Sequence, residues 1–124
     1  MCLKRKKDTP LDLEALLKSF DGDAEFVDEL ITEFVKTALE FPKSIKSSAG
    51  DYTKISALAH TLKGIAANMM CKPLSQVSAE LELYTKRTKR ISKQKVERRI
   101  RLVLFEIGRV VSQVSLNSRV DVVA

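Results

Sequence analysis

Tryptophan is absent from this chain of 124 residues, and Phe and Tyr number only five and two. Glycine occurs four times and proline three times. All-β domains need frequent turn residues and aromatic or β-branched strands, so this scarcity argues against them. What fills the space is long stretches of good helix formers, which point to an all-α domain. The two cysteines, Cys2 and Cys71, lie far apart in sequence; one disulfide is open to them in principle, but a reduced, cytoplasmic chain is expected. One histidine and two distant cysteines offer no metal-ligand spacing. No glycine-rich phosphate loop is present, so ATP chemistry has no support, and no strained nucleophile turn suggests an acyl-transfer enzyme. No apolar run approaches the roughly 20 residues of a membrane span, and the basic start "MCLKRKKDT" has no apolar run behind it. Neither membrane insertion nor a secretory signal is expected.

The formal charge of +6 is unevenly distributed. Between Thr85 and Arg109 ten Lys and Arg face two Glu, a net +8, whereas residues 8–40 carry ten Asp and Glu. Such a dipole permits an electrostatically steered protein partner and speaks against a uniformly basic nucleic-acid surface. Segment 86–101 concentrates nine of the 22 Lys and Arg but holds no interleaved aromatic, so base stacking is unsupported. It remains an alternative surface for an acidic partner, nucleic acid or an acidic membrane surface.

One domain is expected from the length. Residues 1–8 read as a flexible basic segment, 9–117 as the folded unit and 118–124 as a fraying tail. A short first helix follows Thr9 as N-cap, with Pro10 in the first helical position and Asp12 in the first turn. Asp23 caps a second helix with apolar residues at 27, 31, 34, 38, 41 and 45, and Pro42 should kink or end it near Phe41. A third helix spans about Tyr52–Met70 with Ile55, Leu58, Leu62, Ile65 and Met69 on one face. Beyond Pro73 a fourth carries Leu74, Val77, Leu81 and Tyr84, and a fifth carries Val96, Ile100, Val103, Ile107, Val110 and Val114. Four long amphipathic helices with short connections predict an antiparallel four-helix bundle, the short N-terminal helix covering one end.

The only histidine, His60, stands in "ALAHTLKGIAANMM", 57–70. It is two residues from Leu62, so it lies roughly 200° from the apolar stripe, on the wet face. Ala57, Gly64 and Ala67 share that face at i−3, i+4 and i+7. A glycine inside a helix costs about 1 kcal/mol relative to alanine, which suggests that something approaches the backbone beside the imidazole. Lys63, at i+3, brings a cation to the ring, favouring a neutral, nucleophilic nitrogen and able to balance a negative group placed on it.

The segment "AHTLKGIAANMMCKPLSQVSAELE", 59–82, resembles the signature of histidine-containing phosphotransfer (HPt) domains of two-component phosphorelays. The resemblance rests on His60, Lys63 and Gly64, then Asn68, Leu74 and "AELE" at 79–82, with "LDLEALLKSFDGDAEFVDELITEF" resembling the family's entry region. It implies that His60 takes a phosphoryl group from an aspartyl phosphate of a receiver domain and passes it to another receiver. Lys63 would stabilise the phosphoryl charge, and Gly64 would leave room for the docked partner. Ala57, Ala67 and Leu39 would border that docking surface. The implied chain is a monomeric carrier without an ATP site or a cofactor of its own. Its partners would be receiver domains, which hold the Mg²⁺, and an upstream hybrid sensor kinase. A domain of a chemotaxis-type kinase is the related alternative. The sequence departs from the family at Met70, where a glycine is usual, and at Ile65, where a small residue is common.

Overall fold

The computed structural model describes residues 9–87 and 89–123, without the side chains beyond residue 116; the expected flexible segment 1–8 lies outside the described residues. Five helices follow one another: α1 (Leu13–Ser19), α2 (Ala24–Ser47), α3 (Tyr52–Asn68), α4 (Lys72–Arg87) and α5 (Lys93–Val123). Among the described residues there is no strand. Helix α2 packs against α3 and α5, α4 packs against both of the same helices, and α1 rests on α2. The four long helices therefore close a ring in which α3 and α5 stand diagonally opposite. Their inward faces form one core, in which Val27, Phe34, Phe41, Ile55, Leu62, Leu74, Leu81, Val103 and Val110 are buried. The apolar stripes of α2 and α5 thus fall where their three-four spacing places them.

Helix starts follow elementary capping chemistry. The carboxylates of Asp23 and Asp51 accept hydrogen bonds from the amides of Phe26 and Lys54, each at 3.1 Å. The expected cap of α1 is corrected: Asp12, not Thr9, is the N-cap, accepting from the Ala15 amide at 3.1 Å. The helix starts later because Leu11 is drawn into the core. Both backbone groups of Leu11 are held by the Gln113 side chain, at 2.8 and 3.0 Å, which keeps this residue out of the helix. Of the two outcomes expected at Pro42, a kink or an end, the end does not occur, since α2 runs through it to Ser47. Proline removes one backbone bond there, but Phe34, Ala38 and Phe41 before it and Ile45 after it all pack on the core and keep the turns on both sides helical. Helix α5 runs to Val123. No glycine or proline follows Gly108 to stop it.

The turn from α3 to α4 explains Met70. Asn68 is the last residue of α3 and Met69 its C-cap. The Cys71 amide reaches back to the Ala66 carbonyl at 2.9 Å and the Met70 amide to the Ala67 carbonyl at 3.2 Å. That paired pattern is a Schellman motif, and it requires a left-handed residue between the two helices. Met70 takes that place with φ of 56°. A glycine, the residue usual here in the resembling family, would fit without strain. The close turn survives nonetheless, with Met69 and Cys71 buried on either side. The Met70 carbonyl also accepts from the Asp12 amide at 3.3 Å, fixing the entry to α1. Burial pushes the Cys71 thiol up to about 11, as fits a small core residue. Replacing Met70 by glycine should stabilise the fold by about 1 kcal/mol and raise the melting temperature by a few degrees, because the left-handed penalty disappears. Thermal melts followed by circular dichroism will show it, with Met70→Ala unchanged or slightly less stable.

Candidate functional site

The site is built where α3 and α4 lie side by side, the most intimately packed pair of helices. Ala59 and Ala66 on α3 and Ser78 on α4 are fully buried, and such small side chains let two axes approach. The buried stripe of α3 is therefore centred nearer Ala59 and Ala66 than the larger residues suggest, with Leu58 and Ile65 only partly buried at its edges. His60 still points outward, its side chain 66% exposed. Ala57, Gly64 and Ala67 share its exposed face. No atom lies within 4 Å of where a Cβ on Gly64 would stand, so nothing inside this chain requires glycine there.

The residue that organises the site is Glu82 of α4. One carboxylate oxygen, Oε2, lies 2.7 Å from Nδ1 of His60, and the other, Oε1, lies 2.8 Å from the Lys63 ammonium. Its side chain is only 11% exposed, although both of its partners reach solvent. The hydrogen bond from Lys63 is the chief cause that holds the Glu82 carboxyl below its ordinary 4.5, and His60 adds to it against the opposing effect of burial. An ionised carboxylate on Nδ1 selects the tautomer in which Nδ1 carries the proton and donates it, leaving Nε2 with the free lone pair. Lys63 therefore does not act on the ring alone, as its spacing suggests. Its charge is shared with the carboxylate that also holds the imidazole.

Beside the ring lies a cleft of about 490 Å³. Its walls are Thr53, Ser56, Ala57 and Thr61 from α3 and Thr85 and Lys86 from α4, with His60 and Glu82 at its edge. It is a polar, hydroxyl-rich space next to an exposed imidazole. Ala57 lines it, whereas Gly64 and Ala67 lie on the other side of His60 along α3. Leu39 is 48% exposed on α2 but borders neither this cleft nor the shallow groove formed by Phe41, Leu58 and Thr61. Among the described residues no group of three or more His, Cys, Asp or Glu could hold a metal ion. The role of Glu82 is not apparent from helical spacing within α3. Its signal is a different one: it occupies a buried position on α4, beside the stripe of Leu74, Ser78, Leu81 and Thr85. A lone acid beside an apolar stripe calls for a cationic or hydrogen-bonding partner.

Compared with known families, residues 24–114 match the model of the Hpt domain. No curated protein and no solved structure matched the chain.

The pairing of Glu82 with Lys63 and His60 has a definite pH signature. A carboxyl lowered in the folded state contributes stability that is complete above its unfolded value and is lost as pH falls through the folded value. In an NMR titration the Glu82 carboxyl should have its midpoint below 4.5 and move upward in Lys63→Met. The stability difference between wild type and Lys63→Met should be constant at neutral pH and shrink in acid. An unmoved Glu82 midpoint would show that the bridge is absent in solution.

Proposed function

The chain belongs to the Hpt domain family, and from that membership we propose that it is a phosphorelay intermediate in which His60 carries the phosphoryl group. Hpt domains are helical phosphocarriers that work with receiver domains and kinases in two-component systems. In this reading the four long helices form an antiparallel bundle across 9–117, with α1 as its end cap. The observation that carries the assignment to His60 is the 2.7 Å contact between its Nδ1 and the Glu82 carboxylate. It leaves Nε2 as the nucleophile on an exposed ring.

The lone pair of Nε2 attacks the phosphorus of an aspartyl phosphate on a docked receiver. The N–P bond forms as the P–O bond to the aspartate breaks, and the aspartate leaves as a carboxylate. Positive charge develops on the imidazole as the bond forms, and the Glu82 carboxylate on Nδ1–H balances it. The Lys63 ammonium has donors beyond the one given to Glu82, and these face the negative charge of the phosphoryl oxygens. Reversal of the same step hands the group to a second receiver aspartate. The Mg²⁺ of the reaction belongs to the receiver, and this chain needs no cofactor of its own. Gly64 and Ala67 keep the surface beside His60 low, Ala57 lines the adjacent cleft, and Leu39, exposed on α2 outside the cleft, would meet only the periphery of a docked receiver. A monomer in the cytoplasm suits such a shuttle.

Transfer from a phosphorylated receiver with Mg²⁺ should label the wild-type chain with a phosphate that is labile in acid and stable in base. His60→Gln should carry none, and Lys63→Ala should be slowed roughly ten-fold. Gly64→Ala should be more stable by about 1 kcal/mol yet slower in transfer, because the added methyl meets only the partner. Label that persists in His60→Gln would overturn the assignment.

A further inference from the structure

Helix α5 has a second face that the core does not use. Counting outward from the buried Val103, a single line of positions separated by three and four residues runs along its solvent side. Lys95, Arg98, Leu102, Phe105, Ser112 and Leu116 stand on it, and all are exposed. Phe105 is 63% exposed, Leu116 59% and Leu102 43%. Arg109 completes the line, its guanidinium 2.9 Å from Glu106. Solitary exposed leucines need no explanation. A phenylalanine and two leucines in register with cations, on the most basic stretch of the chain, form an amphipathic basic face instead. Arg101 lies beside the line and widens the face.

We propose that this outer face of α5, with Arg87 at the end of α4 and the basic connection after it (Lys89, Arg90), binds the surface of an anionic lipid membrane. The chemistry of the occupant follows from the face. Phe and Leu side chains enter the boundary between head groups and acyl chains, and the surrounding Lys and Arg meet the negative head groups. A second copy of the chain would set one basic face against another. The contact is peripheral, since among the described residues no helix is long and apolar enough to cross a membrane. The geometry also leaves the candidate site free. Helices α3 and α5 are diagonal in the ring, so a chain lying on α5 turns His60 away from the surface. The proposal is independent of any role for His60.

Cosedimentation of the full chain with vesicles tests it. At about 0.1 M salt, the protein should bind phosphatidylcholine vesicles carrying roughly 30% phosphatidylglycerol, and phosphatidylcholine alone should retain almost none. Arg98→Glu with Arg101→Glu should weaken binding by at least about five-fold. Phe105→Ser should weaken it by about three-fold or more with no change in charge, and Leu102→Ser should do the same. Unchanged helical circular dichroism will confirm that these surface variants fold. Equal binding to both kinds of vesicle, or none, overturns the proposal. So does wild-type binding by both serine variants, which would reveal bare charge attraction. Failure on vesicles with capture by a single-stranded oligonucleotide or an acidic peptide would reassign the face to that class of partner.

Discussion

One carboxylate ties the site together. Glu82 is the nearly buried member of a three-residue bridge whose other two members reach solvent, and it holds both at once. An isolated charge at such a position would be costly. Here the cost is offset because each oxygen has its own partner, and the result is an imidazole fixed in one tautomer and one orientation. The bridge crosses from α3 to α4, so it exists only because Ala59, Ala66 and Ser78 allow those helices to lie close. Packing of the smallest side chains and placement of the most reactive one are the same feature.

The helices of this chain were legible in its sequence because their apolar spacing is regular and glycine and proline are rare. Capping at Asp23 and Asp51 follows local rules and needs no tertiary information. The errors are tertiary. Nothing near Thr9 announces that Gln113, far along the chain, will hold Leu11 outside the first helix. Nothing near Pro42 announces that packing on both sides will carry α2 past it. The outward direction of His60 was legible for a simple reason: two residues on a helix nearly reverse direction. Its partner was not, because Glu82 belongs to another helix, and register between helices cannot be read from either one alone. The acid beside a buried stripe was the available clue.

The ring arrangement separates two surfaces with different chemistry. The outer side of α3 carries an imidazole amid alanine, glycine and hydroxyls, whereas the outer side of α5 carries arginine, leucine and phenylalanine. Diagonal helices share the core but turn their outer faces in opposite directions. Occupying one side need not obstruct the other.

The three-residue connection at 69–71 has a meaning beyond its own strain. It closes α3 and opens α4 with no slack, so it sets the rotation at which α4 begins. Glu82 reaches His60 because it stands ten steps along an unbroken helix from Lys72, and each step contributes about 100° of turn. Adding or deleting a single residue at the connection would swing Glu82 through roughly that angle, away from the imidazole, without altering any side chain of the site. Substitutions can accumulate over much of this surface during descent. The length of that turn is under a stricter rule, since for this chain counting residues is part of the chemistry.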